Sequence, residues 1–500
     1  MKQANPSRFI LLPASQITTA HNDNPKVRDF LLQLDGELHK KRKGVTRLGV
    51  RNAPETRTAT IKINVVDSIN EDGAKLVEMD ENEMAKFRFS YPGLRIIPEK
   101  FYQRPPLPFE ELLSKTKKAE TSMSPVITVT DKEGNPVPGV YTVAFTDFTN
   151  RIGDSGHTNA KGMVKLQLNS SNIDRLYVYP EHSYWGYFRK KFAAEAQISI
   201  SLISIDLGYT DALRYFYPTA TWPHITTPIR VGVIDTGSGP HKDLLVVDGA
   251  NTIEGEQESD YGDTGDGHGT HVAGIIAAHG DIKGVAAGVQ ICSYRVFPKV
   301  GDASNFYIMK AIKKAVEQGC LLINMSLGGG ELDEGLVSYI KDAYSKGVLC
   351  FAANGNDERS PVSFPASYSL SVAVSAMGRK ETFPRQTVQT SIVHAPFGTD
   401  KKNFIADFSN TGPETDITAP GVGIISTFPG NNYAVMDGTS MACPAATGLA
   451  ARLLTTRPDI INMPPSQQRA DEMLKFLSVH IRPMGFGSNF EGKGMLFTDK

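Results

Sequence analysis

From about residue 201 onward, short apolar runs alternate with stretches of helical periodicity. IRVGVID (229–235), QICSYRVF (290–297), LLINMSL (321–327), VLCFAA (348–353) and LSVAVSA (370–376) are close to continuously apolar. Such runs predict strands buried on both faces. Between them Ile308, Met309, Ile312, Ala315 and Val316 recur at helical spacing, a core stripe ended by Gly319 as a C-cap. Strand and helix in alternation predict an α/β fold, a doubly wound and mostly parallel sheet.

The pattern upstream differs. In 126–200, VITVTDKEGNPVPGVYTVAF gives strand, turn and strand, and GHTNAKGMVKLQL and DRLYVYP repeat the rhythm. Short strands at regular spacing predict a small β-sandwich. Residues 105–125, PPLPFEELLSKTKKAETSMSP, read as a linker. In 1–104, Val27, Phe30, Leu31, Leu34 and Leu38 predict a helix over Lys26 to Leu38, and Ile61, Ile63 and Val65 alternate as a half-buried strand. KFRFSY and GLRIIPEKFY read as two more strands. The basic run Lys40 to Lys43 reads as a solvated loop, the alternative being a targeting or binding patch.

Composition narrows the class. The chain has 500 residues, 40% apolar and 21% charged, with a formal net charge of −1. That suits a globular protein of about two to four domains and gives no reason to expect nucleic acid or an anionic membrane as partner. No apolar run is long enough to span a bilayer. The apolar core of the first stretch, Phe9 to Leu12, is four residues, against about seven or more in a secretory leader. Cys292, Cys320, Cys350 and Cys443 lack metal-ligand spacing and read as buried free thiols in a reducing compartment, so a cytoplasmic location is expected.

Three stretches carry candidate chemistry. VGVIDTGSGPHKDL ends an apolar strand on Asp235, a position that is costly for a carboxylate without a partner. Asp235 is either a turn cap or one member of a catalytic set. GDGHGTHVAGIIAA opens a helix with His268 and His271, and DGTSMACPAATGLAA places Ser440 before a small-residue helix. A serine there could simply be an N-cap, and a lone histidine a satisfied core residue. The order Asp, His, Ser, each with flanking glycines, resembles the subtilisin-like (S8, subtilase) serine proteases. The resemblance extends over about 201–500 and includes GPETDITAPGVGIISTFPGNNYAVMDGTSMACP and GKGMLF.

The resemblance implies a serine endopeptidase acting on polypeptides through an acyl-enzyme. His268 would be the base, Asp235 its orienting partner, Ser440 the nucleophile and His271 structural. VLCFAANGNDE resembles the family's oxyanion block. Its asparagine follows a glycine, which selects Asn356, although Asn354 competes. NMSLGGG resembles the strand that receives the substrate backbone, implying that Ser326, Leu327 and Gly328 add the peptide by β-augmentation. Asp357 and Glu358 would lie at the rim of the acyl-side pocket. There they would favour Lys or Arg before the scissile bond, or else be ordinary loop charges. No cofactor is required. Structural calcium is common in the family and Asp243 matches one of its ligand positions. The short HGDIKGVAAG loop lacks most of the ligand-bearing insertion, and the acidic stretch Glu254 to Asp266 reads as surface loop, so no metal is expected.

Residues 57–103, with YPGLRIIPEKFYQ, resemble a subtilase prodomain, implying self-cleavage near Tyr102, Gln103 and the linker. Residues 126–200, through Asp131-x-x-Gly134-x-Pro136-Val137-x-Gly139 and Thr158-x-x-x-Gly162, resemble the carboxypeptidase-regulatory-like sandwiches. A monomer is expected. The rival readings are an inactive scaffold that binds through its sandwich, and a hydrolase of esters or amides other than peptides.

Overall fold

The structure, a computed structural model, describes residues 7–13, 25–42, 61–103, 110–115, 122–227 and 229–498. Near the N-terminus four antiparallel strands form a sheet in the order Asn64–Ser68, Lys75–Met79, Ser7–Pro13, Leu94–Pro98. Phe9 and Leu11 face the helices Pro25–Arg42 and Met84–Ser90, together with Phe30, Leu34 and Phe87. Ile10 and Leu12 face the opposite way, into a cluster with Phe306, Met309, Leu336 and Tyr339 of the C-terminal domain. The short apolar run from Phe9 to Leu12 is therefore a strand covered on both sides, which is why it shows no alternation.

One expected strand is a helix. KFRFSY lies in Met84–Ser90 and the residue after it. Phe87 is buried and stacks near Phe30 and Tyr91, whereas Phe89 is 89% exposed. The alternation of aromatic and basic residues imitated a strand, but only the residues at spacing four share the buried face. Lys40 is exposed on the last turns of Pro25–Arg42 and not in a loop, while Lys43 lies outside the described residues. GLRIIPEKFY divides into Leu94–Pro98 and a separate two-residue strand, Phe101–Tyr102.

The sandwich packs a three-stranded sheet (Met163–Lys165, Val126–Thr130, Gln197–Ser201) against a five-stranded one (Tyr187–Ala193, Asn172–Tyr179, Tyr141–Asp147, Ile152–His157, Ser114–Lys115). Ile127, Val129, Ala144, Leu176 and Ile198 fill its core. Of the stretch read as a linker, Ser114–Lys115 supplies the edge strand and Met123 bridges to Leu168, because pairing satisfies backbone groups that a free linker would leave to water. The sandwich is seated on the C-terminal domain. Phe188 N–H donates to Gln386 O at 2.9 Å, Ser183 N–H to Tyr433 O at 2.8 Å, and Trp185 is buried in the neighbouring core.

The large sheet runs Val246–Asn251, Gln290–Arg295, Arg230–Asp235, Leu322–Met325, Leu349–Ala353, Ser371–Arg379, Ile417–Pro420, Met495–Leu496, Ile481–Arg482. It is parallel as far as Met495, with Asn403–Ile405 antiparallel on Ser371–Arg379. All five predicted strands are present. Helices Asn305–Glu317 and Glu334–Ser345 cover one face, and His268–Ala277 and Thr439–Leu454 the other. The chain passes from Arg230–Asp235 to two strands on one side and then to Leu322–Met325 on the other. The C-terminal end of Arg230–Asp235 is thus the topological switch point, where open α/β sheets build their sites.

The His268 helix is held close to the hairpin strand Ile424–Phe428. Ser426 and Thr427 hydroxyls donate to His271 O at 2.7 Å and Thr270 O at 2.8 Å. A Cβ on Gly274 would lie 2.2 Å from Thr427 Oγ1 and 2.4 Å from Ser426 Oγ. Gly274→Ala is therefore expected to destabilise by about 1–3 kcal/mol through overpacking. Urea unfolding in a Ser440→Ala background, which prevents self-digestion, measures this, and an unchanged midpoint would refute the close approach.

Candidate active site

Asp235 ends its strand fully buried. Its Oδ1 accepts the Thr236 N–H at 2.8 Å and lies 2.7 Å from His268 Nδ1. A carboxylate can only accept, so Nδ1 carries the proton and Nε2 is left as the acceptor. Nε2 is buried and has no hydrogen-bond partner among the described residues. Burial alone would pull the His268 pKa down. The Asp235 charge and hydrogen bond, with Asp266 and Asp263 behind them, outweigh it, and the imidazole titrates above its ordinary value.

His271 differs. Its Nε2 lies 3.1 Å from Ile424 O and 3.2 Å from Ala434 O, and burial drops its pKa to about 3. It is a neutral donor tying the helix to the hairpin.

Ser440 is the second residue of Thr439–Leu454, with Gly438 at the N-cap position, so it is not the cap that its place before the helix allowed. Its hydroxyl donates to Ser326 O at 3.4 Å, and Ser326 Oγ donates back to Ser440 O at 2.9 Å. The Ser440–His268 hydrogen bond is not made in this conformation. The two residues open helices that pack on the same face of the sheet, the Ser440 hydroxyl turned toward Ser326 and the His268 ring nitrogen unpartnered. Catalytic hydrogen bonds are often loose or misaligned before substrate binds.

The two asparagines separate cleanly. Asn354 is buried and its amide donates to Thr415 Oγ1 at 2.9 Å, away from Ser440. Asn356 lines the cleft, and its Oδ1 accepts both the Thr439 N–H at 2.9 Å and the Thr439 hydroxyl at 2.8 Å. That fixes which end of the amide is the donor. A Cβ built on Gly438 would lie 3.5 Å from both Asn356 Nδ2 and Ser440 N. Two N–H groups thus converge on a small space kept open because residue 438, at φ +152°, is glycine. Sequence reasoning missed Gly438; the DGTS turn was its only signal.

A cleft of about 330 Å³ opens beside Ser440, lined by Ser326, Leu327, Gly328, Asn356 and Asp357. Of the two predicted rim charges only Asp357 lines it, its carboxylate accepting from Asn410 Nδ2 at 2.8 Å. Glu358 instead pairs with Arg151 of the sandwich at 3.1 Å. Phe101 and Gln103 also line the cleft. Phe101–Tyr102 pairs antiparallel with Ala303–Ser304 (Tyr102 with Ala303, Phe101 with Ser304). The cleft therefore has an edge that sequence reasoning missed. Its only trace was a serine in N-cap position before the Ile308 stripe, and Ser304 does accept the Phe306 N–H.

Asp243 Oδ2 accepts the Ile282 N–H at 3.1 Å and the Tyr433 hydroxyl at 2.9 Å. Among the described residues no group of three acidic, histidine or cysteine side chains converges as a metal site.

The profile of the subtilase family matches residues 227–480. Subtilisin DY of Bacillus licheniformis is 35% identical over 240 residues, 46% of this chain and 78% of that protein. M-protease of Shouchella clausii is 32% identical over 305 residues, 60% of this chain and 71% of the other. Subtilisin Savinase of Lederbergia lenta is 35% identical over 238 residues, 47% and 79%. The matched stretch contains Asp235, His268, Asn356 and Ser440 with the arrangement described above, and the chain belongs to the subtilase family of serine endopeptidases.

Proposed function

We propose that Ser440, His268 and Asp235 perform the peptide hydrolysis. The observation that carries this is the buried 2.7 Å Asp235–His268 bond, which leaves His268 Nε2 as a base without a partner. Rotation of the Ser440 side chain from Ser326 O toward Nε2 completes the set. Nε2 then takes the hydroxyl proton as Oγ attacks the scissile carbonyl. The oxygen of the tetrahedral intermediate gains negative charge between Asn356 Nδ2 and Ser440 N–H, near the N-terminus of the Ser440 helix. The imidazolium gives its proton to the leaving amine, and water repeats the sequence on the acyl-enzyme. Ser326, Leu327 and Gly328 on one side, and Ala303–Ser304 on the other, receive the acyl-side backbone as a strand. None of these steps needs a cofactor. Asp357 favours a cationic residue before the scissile bond. Four buried free thiols suit a reducing compartment, the cytoplasm.

The N-terminal domain acts as a prodomain in this reading. Its last strand already lies in the cleft as a substrate would, and the next residues, 104–109, lie outside the described residues. Self-cleavage is proposed in the segment that follows Gln103.

The acid limb of kcat/KM against pH reports protonation of His268, so its midpoint lies above 6.5. Asp266→Asn removes a charge that raises that pKa and moves the midpoint down; a shift upward would contradict the electrostatics. Asn356→Ala lowers kcat roughly 10²–10³-fold, the loss known for this kind of donor in subtilisin, with little change in KM; a loss confined to KM would make Asn356 a binding residue only. Denaturing gels and N-terminal sequencing of wild type and Ser440→Ala test the processing. Wild type should begin within 104–113 and Ser440→Ala should stay whole, whereas a full-length wild type that is active, or a cleaved Ser440→Ala, would refute self-cleavage.

A further inference from the structure

A second cavity, of about 400 Å³, lies between the sandwich and the C-terminal domain and shares no lining residue with the first. One wall includes Asp266, Asp437 and Gln389; the other is built from the sandwich by Tyr141, Tyr184 and Glu181. Asp266 is two residues before His268, and Asp437 three before Ser440, so the two cavities flank the reacting pair. The chain's own course gives the polarity. The tail strand Phe101–Tyr102 lines the first cavity through Phe101 and continues in the N-to-C direction to Gln103, which lines it too. An N-to-C chain lying as this tail does places its acyl side in the first cavity. The second receives the residues on the C-terminal side of the scissile bond.

Carboxylates come from both walls and tyrosine rings from the sandwich; His157 also lines the cavity, and no lysine or arginine does among the described residues. Gln389, which lines the cavity and is 2% exposed, gives its Nε2–H to Asp437 Oδ2 at 2.7 Å, which leaves Oε1 a buried acceptor with no partner among the described residues. A buried orphan acceptor calls for an N–H donor. Aromatic faces and carboxylates together suit a cation.

Resting on the assignment of Ser440 as nucleophile, we propose that the β-sandwich is a specificity-determining wall of the leaving-group side, and that the cavity it closes binds a lysine or arginine side chain of the substrate C-terminal to the scissile bond.

The test uses the full chain and peptides identical on the acyl side, carrying Lys, Arg, Gln, Leu or Glu at each of the first three positions after the scissile bond. Mass spectrometry fixes the cut site. At one of these positions a cation should raise kcat/KM about tenfold over Gln, a size typical of a partly desolvated cation among aromatic rings and carboxylates. Glu181→Gln, an exposed change that leaves folding alone, should reduce this preference several-fold, and Tyr184→Ala likewise. Neither should alter hydrolysis of an acyl-side peptide p-nitroanilide, which has no residue after the cut. No preference for cations, a preference for Leu or Glu, or a Glu181→Gln loss equal for all peptides would overturn the proposal. The anilide reads the catalytic assignment separately: its hydrolysis, and fluorophosphonate labelling of Ser440, stand or fall without the second cavity.

Discussion

A carboxylate with no access to water is tolerable only where donors surround it, and Asp235 has few. One oxygen receives the Thr236 N–H and His268 Nδ1; the other has no hydrogen-bond partner among the described residues. An unpaired buried anion costs several kcal/mol, so the fold tolerates this one because an imidazole is pressed against it. The dependence runs both ways. The same charge holds the ring in one tautomer and lifts its proton affinity against the burial that would depress it. Hydroxyls of Ser426 and Thr427, the glycine at 274 and the neutral His271 donor all serve to keep the helix carrying His268 where this contact is possible.

The N-terminal domain is held by a different balance. Its sheet presents Ile10, Leu12, Leu76 and Ile97 to the helices Asn305–Glu317 and Glu334–Ser345. Polar contacts fix the register: Lys310 pairs with the buried Asp67 at 2.8 Å, Ser304 donates to Glu99 at 2.6 Å, and the Lys100 N–H donates to Asn305 Oδ1 at 3.1 Å. Glu99 stands at the N-terminus of Asn305–Glu317, where the helix dipole favours an anion. The pairing of Phe101–Tyr102 with Ala303–Ser304 then follows from a body already docked, so little chain entropy remains to be lost when the tail enters the cleft.

Legibility in the sequence followed the range of the interactions involved. Strands buried on both faces announced themselves because every residue must be apolar, and the Asp235, His268 and Ser440 blocks because their glycines and small residues have no local reason to cluster. KFRFSY misled because two aromatics at spacing two look like one face of a strand, and only the partner ring of Phe30 selects Phe87 over Phe89. Asn354 and Asn356 stand two apart, and their separation into core and cleft depends on Asn410, Thr415 and Thr439, which are distant in sequence. Glu358 could not be assigned locally because its partner, Arg151, belongs to another domain. The docking of the sandwich, carried by Trp185 and by backbone bonds to Gln386 and Tyr433, left no periodic trace at all.

That docking changes what a cut after Gln103 would release. The sandwich continues without a break into the C-terminal domain through Gln197–Ser201, and Trp185 anchors it in the neighbouring core. The N-terminal domain, once severed, keeps only its noncovalent face. With the tail on the proposed acyl side and the sandwich on the proposed leaving-group side, such a cut would remove one element and leave the other. Removing the tail would open the half of the cleft lined by Phe101 and Gln103. The half bordered by Tyr141, Tyr184 and Glu181 would stay walled after such a cut, because its wall is tied to the C-terminal domain by covalent chain as well as by burial.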